Sequence, residues 1–347
     1  SVYIGYTATP QANIFIHNRG ETEEHGEDLF PRSFITVIDP PDNYIGPKKM
    51  FALDAENDPG INCFINLRDH AASLELDERE GWMPPKHDGF HTPLYQGREE
   101  VPPSLKEAIK VFILSTAVRI LRGQEIEHST MLIHVSLNVD VQNKVKQQVE
   151  DEFNLVKARV IYNDGDRESV MEQFSDVWQR IFIARADDFE GYDLPEWEKV
   201  KEKIPAVANL IQTKEINGSS GDILDYVRYS ELKKPLYAIV IGGNKLSRGL
   251  TLDGLTVSYF LRPSRMYDSL MQMGRWFGYR DGFLDVCRIY TTANLQRWFR
   301  HATSAIEELR EDFDRMVESG YTPREFGHRV LNHPSMMVTS PTKMRNA

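Results

Sequence analysis

The stretch PLYAIVIGGNKLSRGLTLDGLTVSYFL, residues 235–261, decides the fold class. Pro235 to Gly243 is an apolar run closed by two glycines, and Leu255 to Leu261 is a second apolar run. Both have strand length, and the first is apolar from Leu236 to Ile241 without interruption. Such unbroken runs belong to strands covered on both faces, the habit of parallel sheets. Between them stand Asn244, Lys245, Ser247, Arg248 and Gly249. Open α/β sheets bind ligands outside the carboxyl ends of their strands. Glycines let backbone N–H groups approach an anion, and Lys and Arg add charge. Gly243 to Gly249 is therefore a candidate phosphate site; a tight connection without a ligand is the alternative.

The same alternation extends outward. MLIHVSLN (131–138), LIQTKEING (210–218) and VCRIYTT (286–292) read as further strands. Helices are expected over 105–122, 141–153, 167–182 and 267–278. The first has Ser104 and Glu107 as a capping box and Gly123 as its stop. Another box, Ser304 to Glu307, predicts a helix over 304–320, and Thr322-Pro323-Arg324-Glu325 starts one more. Strands alternating with helices predict a doubly wound parallel sheet. Residues 17–103 carry paired prolines, acidic patches and few periodic runs, so they read as an insertion or linker without assigned chemistry; SFITVID (33–39) is their one strand-like piece. At the start, Val2, Ile4 and Tyr6 alternate before Thr7-Ala8-Thr9-Pro10, as at the end of a buried strand running into a loop.

The chain of 347 residues is long enough for two domains, and no apolar run approaches the ~20 residues of a membrane span. No signal-peptide pattern opens it, and a cytoplasmic location is expected. Cys63 and Cys287 read as buried thiols. The net charge is −11, yet residues 243–300 hold nine Lys/Arg against four Asp and no Glu, a local +5. That basic island suits a phosphate-bearing ligand. His87 and His91 have a metal-ligand spacing, but Pro84, Pro85 and Gly89 make their segment a loop. Asp39 and Asp42 precede Lys48 and Lys49 without the acid-x-Lys strand of a metal nuclease. No metal site is expected.

A third cluster is SLMQMGRWFGYR, 269–280, with Gln272, Gly274, Arg275 and Arg280. Arginine's planar, permanently charged fork matches phosphate oxygens. The plainer reading puts Trp276 and Phe277 in the core and pairs the arginines with Asp281 and Asp285.

In order, TATP, LSRGLTLDGL and QMGRWFGYR resemble the later motifs of superfamily-2 helicases and translocases. IGGNKLSRGLTLDGLTVSYFLR followed by MQMGRWFGYR is similar, more specifically, to the Z-one domain family, an endonuclease-labelled domain of bacterial helicase-like proteins near restriction and phage-defence genes. The resemblance covers roughly residues 104–300. It departs from the general pattern where Thr251 replaces the usual acid, with Asp253 two residues on, and in the spacing of Gln272, Gly274 and Arg280.

The resemblance implies an α/β, RecA-like parallel sheet with helices on both faces. Residues 1–16 would be a remnant of a first lobe and 17–103 an additional N-terminal region. Residues 104–300 would be the second lobe, with a helical insertion about 140–205, and 301–347 C-terminal helices. It implies the second lobe of an ATP-dependent nucleic-acid motor in bacterial restriction or phage defence. Arg280 would be the arginine finger, assisted by Arg275 and Gln272. Thr7, Thr9, Gly243, Asn244, Lys245, Ser247, Arg248, Gly249 and Asp253 would couple nucleotide to nucleic acid, and Arg262, Arg265 and Arg300 would line the track. No G-x-x-x-x-G-K-[ST] phosphate loop and no DE-x-x motif ahead of TATP occur in the sequence. ATP and Mg²⁺ are therefore expected only with the complementary first lobe, with none bound by this chain alone. The expected partners are that lobe, nucleic acid (DNA ahead of RNA) and restriction or defence proteins, with no membrane. The rival readings are a RecA-like binding platform without turnover and a nuclease subunit.

Overall fold

The computed structural model describes residues 4–7, 21–22, 26–27, 31–53, 60–162, 167–217, 224–243, 245 and 250–326. The chain divides into two compact units. One comprises Ser1–Gly60, Pro263–Phe277 and Gln296–Ala347, and the other Ile61–Arg262 with Gly278–Leu295.

The larger unit is built on a six-stranded sheet: β1 (Phe64–Asn66), β2 (Ser129–His134), β3 (Ile211–Ile216), β4 (Tyr237–Gly242), β5 (Leu255–Phe260) and β6 (Arg288–Thr291). The order is β1-β6-β5-β2-β4-β3, and every neighbouring pair is parallel. All residues of β2, β4 and β5 are buried, as expected for strands covered on both faces. Helix α1 (Pro103–Leu121) precedes β2; α2 (Val139–Tyr162), α3 (Arg167–Val177) and α4 (Trp197–Leu210) lie between β2 and β3; α5 (Tyr226–Glu231) leads to β4.

Successive strand residues point to opposite faces. Ile133, Ile239, Ile241, Val257 and Tyr259 share one core with Phe112 of α1, Val149 of α2, Phe174 of α3 and Ile204 of α4. Leu132, Ala238 and Val240 face the other way, against Tyr226 of α5, Leu236 and Leu252. The class is α/β with helices on both faces, consistent with a RecA-like fold.

Three local expectations give way to longer-range contacts. Helix α1 starts at Pro103, so Ser104 lies inside its first turn. The Asp69 carboxylate accepts Ser104 N–H at 2.8 Å and Ser104 Oγ–H at 2.6 Å, capping the helix from the loop after β1. Glu107, released from the local box, accepts from Arg180 and from the Tyr290 hydroxyl, both at 2.9 Å. Helix α3 continues as a π turn over Trp178–Phe182 and a 3-10 turn over Ile183–Asp188. The edge strand β1 lies in the segment that the sequence leaves as an insertion or linker.

In the smaller unit, α6 (Tyr267–Met273) and the main part of α7 (Ala293–Glu318) frame an aromatic cluster. Phe51 stacks on Phe299 at 5.8 Å, and buried Trp276 meets Phe299 edge-on at 5.0 Å. Trp276 of GRWF is thus core, with Phe277 half-buried beside it. Ser304 does not start a helix: its hydroxyl donates to Arg300 O at 3.2 Å in the interior of α7. SFITVID forms no strand; Ile35 and Val37 pack on Leu309 and Phe313 instead. Residues 4–7 are exposed and in no strand, because no described strand supplies them a ladder. Among the described residues no helix is long and apolar enough to cross a membrane.

Candidate functional site at the two edges of the sheet

From β2 the chain crosses toward β3 and β4, and from β5 it goes the other way, to β6. The carboxyl ends of β2 and β5 therefore flank a topological switch point, where sheets of this class bind ligands. The end of β2 brings His134 and Ser136, the end of β5 brings Arg262, and the end of β4 brings Gly243 and the exposed Lys245.

His134 is fully buried, and neither ring nitrogen has a hydrogen-bond partner. Burial pushes its pKa down to about 3, and the Arg262 charge acts in the same direction, so the ring is neutral. Gln142 donates to Ser136 O at 3.1 Å, while its buried Oε1 has no partner. Its amide lies against Gly243, so an added Cβ there would have to displace the end of the Gln142 side chain. Ser136 Oγ is 2.9 Å from His87 Nε2, and His87 Nδ1 is 2.8 Å from Pro84 O. A carbonyl only accepts, so Nδ1 carries the proton and Nε2 accepts from the serine. Burial lowers the His87 pKa, which keeps this neutral tautomer.

At the amino edge the arrangement is different. Thr130 Oγ1 donates to Asp253 O at 2.7 Å, and Thr130 N–H to Gly254 O at 3.0 Å. Gly254 has φ +61°, and a Cβ there would overlap the His128 carbonyl oxygen. That carbonyl accepts from Arg119 Nη1 at 2.5 Å, and Arg119 Nε donates to Gln124 Oε1 at 2.7 Å. The Arg119 guanidinium stands over the Phe283 ring at 4.3 Å and that of Arg280 at 5.8 Å. Arg280 Nη1 also donates to Tyr279 O at 2.7 Å. Asp285 pairs with Arg122, two bonds of 2.7 Å, and Arg122 reaches the carbonyls of Asp193 and Gly282 as well.

Asp253 and Arg280 thus share one edge of the sheet, while Gly243, Lys245 and Arg262 share the other. The strands between them have six residues, which separates the edges by roughly 20 Å. Gln272, on α6, and Arg275, just beyond it, belong to the smaller unit; burial lowers the Arg275 pKa. Arg265 and Arg300 are exposed in that unit, Arg300 donating to Ala52 O at 3.4 Å, whereas Trp298 is core. Thr7 is exposed. Thr9, Asn244, Ser247, Arg248 and Gly249 lie outside the described residues.

His87 and His91 are loop residues with rings 5.4 Å apart, and His91 Nε2 is held 2.9 Å from Trp82 O. Among the described residues no group of three His, Cys, Asp or Glu could hold a metal ion. Asp39 and Asp42 are exposed, and Cys63 and Cys287 are buried thiols. The sequence reading passes over His134, Ser136 and Gln142. Their signal is a histidine inside the apolar run MLIHVSLN, placed where a strand ends.

A family model described as the Z1 domain matches residues 104–337. No curated protein and no solved structure matches the chain.

Proposed function

The chain belongs to the Z1 domain family, and from that premise we propose that it serves as the second lobe of an ATP-driven nucleic-acid motor whose two sheet edges address different ligands. The observation that carries this reading is the separation of the predicted residues. Lys245, Arg262 and Gly243 cluster at the switch point, and Asp253 and Arg280 at the opposite edge. Gly243 lies at the carboxyl edge and Gly254 at the amino edge, eleven positions later in the sequence.

At the carboxyl edge, Lys245 and Arg262 would meet nucleic-acid phosphates, with Asn244, Ser247, Arg248 and Gly249 following Gly243 in sequence. Gly243 lets the Gln142 amide lie against the backbone at this edge. At the amino edge, two guanidiniums share the Phe283 ring, and Arg280 adds to the charge that Arg119 feels. Arg122 is neutralised by Asp285. Guanidinium forks match phosphate oxygens, so the residue types present fit a nucleotide phosphate. ATP, when held by the complementary lobe, would supply the transferable phosphoryl group; Arg280 would meet its charge and Asp253 would orient it. Thr7 and Thr9 would pass the change on. The setting we propose, restriction or phage defence acting on DNA, rests on the resemblance alone. A binding platform without turnover is the second reading, favoured by the hold of Tyr279 O and Phe283 on Arg280.

Two measurements test this. The purified chain should bind an oligonucleotide with a steep salt dependence, and Lys245→Ala or Arg262→Ala should each reduce the slope by about 1. Joined to the presumed first lobe, it should show nucleic-acid-stimulated ATPase that falls at least about 10³-fold in Arg280→Ala. Binding without ATPase in the joined protein would establish the platform. Absence of both would remove the motor reading.

A further inference from the structure

The loop Pro84–His91 is held at the same edge as the switch point and ends in a bare aromatic ring. Phe90 is 91% exposed, although residues on both sides of it are tied down. His87 is bonded to Ser136 beyond β2 and to Pro84 O. The Asp88 carboxylate accepts from Phe90 N–H at 2.9 Å. His91 is bonded to Trp82 O, and Lys144 of α2 donates to His91 O at 3.1 Å and Thr92 Oγ1 at 3.0 Å. Trp82, in turn, is buried and donates to Gln148 at 2.8 Å.

Single exposed hydrophobics are ordinary; a phenylalanine on a loop with this many fixed points is a different object. The ordering entropy of the loop is already spent in the fold, so contact with a ligand would not have to supply it. A flat ring with both faces in water, on an edge that also carries Arg262 and Lys245, matches the combination used by single-strand binders: aromatic platforms for bases beside cations for the backbone. A protein pocket would not need those cations.

Resting on the nucleic-acid reading of this edge, we propose that Phe90 is a base-stacking residue for single-stranded nucleic acid passing the carboxyl ends of β2 and β5. The test is the affinity of the full chain for a fluorescein-labelled single-stranded oligonucleotide, with Phe90→Ala and Phe90→Trp beside the wild type. Phe90→Ala removes no core contact, so it should fold and bind between about fivefold and about 150-fold more weakly, the loss of one stacked base. Phe90→Trp should retain affinity and show indole emission quenched on saturation, which a merely structural role would not produce. Wild-type affinity in Phe90→Ala with unquenched Trp emission, while Lys245→Ala still weakens binding, would overturn the stacking role and leave the nucleic-acid edge standing. No binding by the wild type would overturn both.

Discussion

Replacing Gly254 by alanine should cost far more than replacing Gly123, although both glycines have positive φ, +61° and +80°. At Gly123 an added Cβ meets nothing within 4 Å, so only the left-handed backbone is penalised, by roughly 1–2 kcal/mol. At Gly254 the methyl would overlap the His128 carbonyl oxygen, with His128 C at 2.7 Å and Arg119 Nη1 at 2.6 Å. Backbone cannot rotate away as a side chain can. Overpacking of this kind costs roughly 1–3 kcal/mol. Displacing His128 O also breaks the bond from buried Arg119, a charged hydrogen bond worth about 1.5–3 kcal/mol. These effects overlap, so the expected loss for Gly254→Ala is about 3–5 kcal/mol, against about 1–2 for Gly123→Ala. Urea unfolding of both variants, followed by tryptophan fluorescence, reads the difference from the midpoints at fixed m. Equal losses, or a Gly254→Ala loss under about 2 kcal/mol, would refute the packing argument.

Other substitutions give further checks. Arg122→Ala strips the buried Asp285 of its partner and should destabilise by about 3–5 kcal/mol, whereas Arg180→Ala, at a half-exposed pair, should stay within about 1 kcal/mol; denaturation of the two side by side decides. Asp69→Ala removes the cap of α1 and should cost about 1–2 kcal/mol, with hydrogen exchange accelerated in the first turn; unchanged exchange would show that Pro102 suffices. The folded-state pKa of His134 lies near 3, below the ~6.5 of an unfolded histidine. The unfolded chain then binds its proton first, so stability is full above pH ~6.5 and declines toward pH 3 by up to about 1.4 kcal/mol per unit. His134→Gln should flatten that decline in urea titrations at pH 7, 6 and 5; an undiminished slope would reject it.

The sheet was legible because its three central strands are mostly apolar and of strand length, and a run such as Tyr237–Gly242 admits little else. Edge strand β1 was not, since two half-buried residues and an exposed Asn66 carry no periodic signal and gain strand form only from β6. Capping boxes at Ser104 and Ser304 misled for opposite reasons: a distant carboxylate took over the first, and a continuous buried stripe including Leu295, Phe299 and Ala302 ran the helix through the second. The basic and glycine-rich residues were readable as chemistry, but not their division between two edges. That division depends on where each strand begins and ends. The orphaned ring of His134 and the fixing of the His87 loop depend on tertiary contacts that no spacing encodes.

The pairing of β1 with β6 has a consequence during synthesis. Phe64 lies opposite Ile289, 225 positions later in the chain. At about 5–20 residues per second, β1 emerges roughly 10–45 s before its ladder partner exists. Asp69, which follows β1, caps α1, so the first helix of the sheet unit is anchored to a strand that is the last to be secured. Long-range closure of this kind slows folding. In the interval β1 offers an unpaired edge, and its brevity, three residues ending in Asn66, limits what could add to it.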